Sequence, residues 1–174
     1  MKTDERTGIL YREWRAPSPR AALLLIHGLG GHGQRWGFLA GYFLDRGFSC
    51  YAIELRGFGQ TREPRGHIDS FDIYFRDITR LAEIISNENP GRRIFLVGES
   101  LGGLLAFLMA AEYADHFNGL ICISPAFKSR LKFTPAGYLR IFSALIYNPI
   151  KQFTVPFGAG MCTRDTDYQK LIDS

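Results

Sequence analysis

Gly98-Glu99-Ser100-Leu101-Gly102 sets a hydroxyl between two glycines, each two residues away, and covalent chemistry by a serine needs a setting of that kind. Ile94 to Val97 before it reads as a strand buried on both faces. Leu101 to Glu112 after it has the length and composition of a helix. A chain that passes from strand to helix within one residue brings the positions on either side of the serine close together, and only glycine fits there comfortably. Such a turn strains the serine backbone, lifts the hydroxyl above the sheet edge, and aims the next N–H groups, at a helix N-terminus, toward an oxyanion. With 19 glycines in 174 residues the spacing alone arises easily by chance. Its placement between strand and helix makes Ser100 a candidate nucleophile.

A second glycine-rich stretch, His27-Gly-Leu-Gly-Gly-His32-Gly33, follows the apolar run Ala21 to Ile26. It opens a segment in which Trp36, Leu39, Ala40, Phe43 and Leu44 recur at helical spacing. Gly28-x-Gly30-x-x-Gly33, with Glu54 ending the next strand, also fits a dinucleotide-binding loop. The glycines would admit a pyrophosphate and Glu54 would hold the ribose hydroxyls. That alternative leaves the Ser100 turn unexplained.

The elements that must position these stretches alternate. Gly8 to Arg15 reads as an edge strand around Ile9, Tyr11 and Trp14. Phe48 to Glu54 is a further strand, running into Leu55-Arg-Gly-Phe-Gly-Gln-Thr61, a turn whose glycines are read as structural. Ser70 caps a helix lined on one face by Phe71, Phe75, Ile78, Leu81, Ala82 and Ile85. Asn118 to Ser124 is the last clear strand. The alternation predicts an α/β fold with a mainly parallel sheet and helices on both faces.

Regularity stops at Pro125, which divides residues 1–126 from a greasy, proline-broken segment, 127–174. Its Gly137 to Tyr147 helix is apolar nearly all round and must be covered by protein, lipid or an acyl ligand. An acyl-binding cap and an ordinary buried helix both satisfy that requirement.

Composition excludes several classes. With 46% hydrophobic and 22% charged residues the chain is an ordinary globular domain, neither disordered nor fibrous. The formal charge of +4 is spread along the chain, so no nucleic-acid footprint is expected. The polar start and the lack of a long apolar run lead to the expectation of an unexported, cytoplasmic protein. Cys50, Cys122 and Cys162 are odd in number and far apart, which suits free thiols rather than disulfides or a metal site.

These residues together resemble the α/β-hydrolases, and more narrowly their monoacylglycerol lipase and lysophospholipase branch. The resemblance rests on His27-Gly28-Leu29-Gly30, Arg56-Gly57-Phe58-Gly59-Gln60-Thr61, Gly98-Glu99-Ser100-Leu101-Gly102-Gly103, and the strand ending in Pro125. It spans roughly residues 8 to 174, with the irregular segment where that branch carries its cap. Glu54 stands where the family more often has aspartate.

The resemblance implies an acyl-serine ester hydrolase with Ser100 as nucleophile, the Leu29 and Leu101 backbone N–H groups as oxyanion hole, and no cofactor or metal. His27 and Gly28 would shape the oxyanion loop, and Gly98 and Gly102 the elbow. The substrate would be a small ester or lipid, with transient membrane-surface contact through the cap.

In this family the acid and then the histidine of the triad follow the serine. After Ser100 the sequence holds one histidine, His116, expected at the far end of the following helix. Asp165, Asp167 and Asp173 fall in the cap-like segment. The resemblance thus implies a chain that stops before the acid and the base. A fragment of a longer hydrolase is expected, and a non-catalytic acyl- or partner-binding form is the alternative. The strand Leu120 to Ser124 would then be an open sheet edge, prone to self-association.

Overall fold

The computed structural model describes residues 1–128 and 133–148, with the isolated positions 151, 153, 164 and 166. Cys162, Asp165, Asp167 and Asp173 lie outside the described residues. The chain divides into two compact units, Met1–Ser129 and Arg130–Ser174.

In the first unit, strands β1 (Lys2–Thr3), β2 (Leu10–Trp14), β3 (Ala21–Ile26), β4 (Phe48–Glu54), β5 (Arg93–Glu99) and β6 (Gly119–Ile123) form one sheet in the order β1-β2-β4-β3-β5-β6. The β1–β2 and β2–β4 pairs are antiparallel, and β4, β3, β5 and β6 run parallel. Ile26 is in register with both Ile53 and Gly98. The segments that follow β3, β4 and β5 therefore leave the sheet side by side at its C-terminal edge, the usual ligand-binding edge of a parallel sheet.

Helices α2 (Asp72–Glu88) and α3 (Leu101–Glu112) share one core with the sheet, Ile78, Leu81, Leu105 and Met109 meeting Leu24, Ile26, Tyr51 and Ile53. Helix α1 (Gly37–Leu44) covers the other face, where Ala40 and Trp36 meet Leu23, Leu25, Cys50, Ala52 and Val97. A short 3₁₀ turn, Gly33–Trp36, precedes α1.

The sequence reading needs two corrections here. β2 is not the edge strand: Lys2 and Thr3 pair outside it, opposite Tyr11 and Leu10. The face of α2 expected from Ile78, Leu81, Ala82 and Ile85 is buried, but at its start Tyr74 and Asp77 are buried while Phe71 is exposed. The reason is an ion pair. The Arg56 guanidinium donates from Nε to Asp77 Oδ2 at 2.6 Å and from Nη2 to Oδ1 at 3.2 Å, while the Tyr74 hydroxyl donates to Arg56 O at 3.0 Å. Periodicity of apolar residues cannot register a face closed by a charge pair.

In the second unit, α4 (Pro135–Tyr147) starts with Thr134 Oγ1 accepting the Gly137 N–H at 3.1 Å and with proline in its first turn. Ala144 is buried, whereas Tyr138, Leu139, Phe142, Leu145 and Ile146 are exposed. Among the described residues no helix is long and apolar enough to cross a membrane.

Candidate active site

Ser100 closes the space between β5 and α3 with φ 53° and ψ −115°, a conformation that L-residues rarely adopt. The neighbours hold it there. Its N–H donates to Ile123 O at 3.0 Å, and its carbonyl accepts the N–H groups of Leu104 at 3.1 Å and Ala126 at 3.0 Å. Gly98 and Gly102 do pack together, since a Cβ on Gly98 would overlap the Gly102 carbonyl. Gly102 is constrained differently: its own Cβ would overlap the Ile26 and His27 carbonyls at the end of β3. The second glycine therefore lets α3 approach the neighbouring strand, a reason that the pentapeptide alone does not reveal.

The His27-to-Gly33 loop lies directly against the serine. A Cβ on Gly28 would stand 3.1 Å from Ser100 Cβ. Leu29 follows with its side chain exposed. Among the described residues nothing accepts a hydrogen bond from the N–H of Leu29 or of Leu101, the latter in the first turn of α3.

His27 is almost fully buried. Its Nε2 accepts the Leu55 N–H at 3.0 Å, which puts the proton on Nδ1, and Nδ1–H donates to Gly28 O at 2.8 Å. The ring meets Phe58 edge-on at 6.0 Å between centroids. Burial holds the imidazole below its ordinary pKa, so it stays neutral. With both nitrogens engaged, it is a strut between the turn after β3 and the turn after β4.

Glu54 is the site residue whose role the sequence reading missed. One carboxyl oxygen accepts the Gly33 N–H at 2.8 Å and the other the Gln60 N–H at 3.0 Å, tying the same two loops from below. A Cβ on Gly59 would overlap this carboxyl group, and one on Gly33 would come within 2.9 Å of it. An acidic residue in the apolar run Cys50 to Leu55, with glycines on both flanking loops, was the available signal. This geometry overturns the dinucleotide alternative. A carboxyl group 2% exposed, with both oxygens occupied by backbone donors, is not offered to a ribose. Ser124, at φ 45°, is a second strained residue beside the elbow that the sequence did not announce.

His116 stands in a short 3₁₀ turn, Ala114–His116, beyond the C-terminus of α3. Twelve helical residues separate that turn from Ser100, about 18 Å along the axis. It lines a surface cleft of about 450 Å³ with Arg92 and Asn118, residues at the opposite end of β5 and β6.

Comparison with known proteins places this geometry. A family model described as serine aminopeptidase, S33, matches residues 17–174. The chain belongs to that hydrolase family. Among its relatives, the monoglyceride lipase of Homo sapiens is 33% identical over 118 residues, covering 67% of this chain and 39% of the human protein. The crystal structure of the Paleococcus ferrophilus monoacylglycerol lipase superposes with a TM-score of 0.76 at 27% identity, covering 93% of this chain and 60% of that one. A soluble variant of the Saccharomyces cerevisiae monoglyceride lipase, solved with a substrate analogue, superposes at 0.74 and 21% identity, over 94% of this chain and 57% of that one, and attests the fold alone. The S33 chain described here thus has the α/β-hydrolase fold and lies on the monoglyceride lipase-like branch. It spans 39% of the length of the human relative and 46% of the mouse one.

Proposed function

We propose that Ser100 is the nucleophile of a carboxylic ester hydrolase that works through an acyl-serine intermediate, with the Leu29 and Leu101 N–H groups as its oxyanion hole. The observation that carries this reading is the strained Ser100 backbone pressed against Gly28, beside the Leu29 and Leu101 N–H groups, which have no acceptor among the described residues. The hydroxyl oxygen attacks the ester carbonyl and its proton passes to a base. The carbonyl oxygen becomes an oxyanion held by the two N–H groups, and the alcohol leaves as the acyl-enzyme forms. Water then releases the acid. His27 and Glu54 hold the loop that carries Leu29, with Gly28, Gly98 and Gly102 providing the close approach.

His27 cannot supply the base, since both its nitrogens are engaged, and His116 is too far along α3. The base and its orienting acid belong, on this reading, to the half of the enzyme that the relatives have and this chain does not span. Residues 127–174 act as the cap that receives the acyl chain and meets lipid. The names of the relatives favour a monoacylglycerol as substrate.

The test is covalent labelling by a fluorophosphonate, with mass mapping of the adduct. It compares the chain alone with a chimera that adds the second half of the Paleococcus ferrophilus lipase. The chimera is expected to label at Ser100 and to hydrolyse a monoacylglycerol, and Ser100→Ala to abolish both. Retained activity in Ser100→Ala would overturn the nucleophile assignment. Labelling of the 174-residue chain alone would overturn the claim that the base belongs to the half that this chain does not span.

A further inference from the structure

We propose that the outer face of α1 docks on an anionic phospholipid surface. The helix Gly37-Phe-Leu-Ala-Gly-Tyr-Phe-Leu44 has no charged side chain and is apolar on every side, a composition suited to a helix covered all round. Only its inner face is covered: Ala40 is buried, and Leu39 and Phe43 pack on the cluster around Leu25 and Ala52. Outside, Phe38 is 93% exposed and Tyr42 51% exposed.

The charges sit where a lipid surface would use them. Arg35 stands in the 3₁₀ turn just before α1 and Arg46 just past its end, so the two arginines flank the exposed aromatic residues. The Arg46 guanidinium lies 3.6 Å from the Tyr42 ring centroid, and its Nη1 donates to Tyr42 O at 2.9 Å. Arg20 joins the same end, 5.8 Å from the Phe48 ring centroid. Among the described residues, none of Arg20, Arg35 and Arg46 forms an ion pair. Asp45 is the one exposed acidic residue within α1 and its flanks.

An aromatic pair bracketed by unpaired arginines suits the membrane–water boundary, with Phe38 in the acyl layer, the Tyr42 ring at the headgroups and the guanidinium groups on phosphates. The inference does not depend on the role of Ser100.

The test is co-sedimentation of the chain with phosphatidylcholine vesicles, with and without phosphatidylglycerol. The chain is expected to bind the mixed vesicles, and to release from them as salt is raised. Phe38→Ala should weaken binding roughly tenfold. The double variant Arg35→Glu, Arg46→Glu should bring binding to the phosphatidylcholine level. Phe71→Ala, an exposed aromatic residue just before α2, serves as the comparison variant, and far-UV circular dichroism confirms folding. Absence of binding, or equal binding by Phe38→Ala, would overturn the proposal. So would loss of self-association in Phe38→Ala without any vesicle binding, which would make this face a protein interface.

Discussion

β3 and β6 are both short, apolar and parallel to β5, yet they sit in opposite circumstances. β3 lies between two parallel neighbours with all six residues buried, whereas β6 pairs, among the described residues, with β5 alone. Ile121 and Ile123 on β6 are 48% and 38% exposed. The candidate nucleophile depends on both strands: Gly102 needs the close approach to the end of β3, and the Ser100 N–H hangs on the Ile123 carbonyl. The elbow thus has one rigid wall and one soft wall.

Adjacent glycines separate the two walls most sharply. Gly102→Ala drives a Cβ into the Ile26 and His27 carbonyls, backbone atoms of the fully packed strand that cannot swing aside. Gly103→Ala meets Pro125 and the Gly98 carbonyl at 3.0 Å, and Pro125 follows the soft strand. In urea denaturation Gly102→Ala is expected to lose more than about 3 kcal/mol or its cooperative transition, and Gly103→Ala about 1–2 kcal/mol. Equal losses would abolish the distinction between the walls.

Truncations in the strands carry the same comparison into the core. Leu25→Ala in β3 removes a fully buried side chain beside Ala52 and Val97 and should cost about 2–5 kcal/mol. Ile121→Ala in β6 removes a half-exposed one and should cost less than about 1 kcal/mol. A loss at Ile121 as large as at Leu25 would mean that β6 is covered in solution, and sedimentation would show whether a second copy covers it.

The same contrast explains what could be read in advance. Apolar runs marked β3, β4, β5 and β6, and the glycine spacing marked the elbow, because strand burial and tight turns leave local signatures. Apolar runs alone do not separate Ile121 from Leu25, since only the neighbours differ; the open edge expected at Leu120 to Ser124 came from the family resemblance. His27 and Glu54 were visible as residues, but their function as paired struts arises from contacts to Leu55, Gly33 and Gln60, which lie 28, 21 and 6 residues away in sequence. The Arg56–Asp77 pair was hidden for the same reason.

Thiol reactivity tests the soft wall kinetically. Cys50 on β4 is fully buried and burial pushes its thiol up to about 12, while Cys122 on β6 is partly exposed. Alkylation with iodoacetamide, followed by peptide mass mapping, should modify Cys122 roughly a hundredfold faster or more, Cys50 reacting only through global opening. Comparable rates would show that the centre of the sheet opens as readily as its edge.

The smallest effect lies in the His27 strut at the rigid wall. Its folded pKa is depressed by burial below the ordinary 6.5, so near neutral pH both folded and unfolded chains hold it uncharged and its contribution is complete. Below 6.5 the unfolded chain takes up a proton that the folded one resists, because Nε2 already accepts the Leu55 N–H. Stability should therefore fall as pH drops from 6.5 toward the folded pKa, by up to about 1.4 kcal/mol per pH unit from this residue. Denaturation between pH 7.5 and 5, values chosen to lie roughly about that ordinary pKa, should show the decline in the wild type and a flatter profile in His27→Gln. If His27→Gln left the slope unchanged, the titrating group would lie elsewhere. The strut between the two loops would then not be the element that acid loosens first.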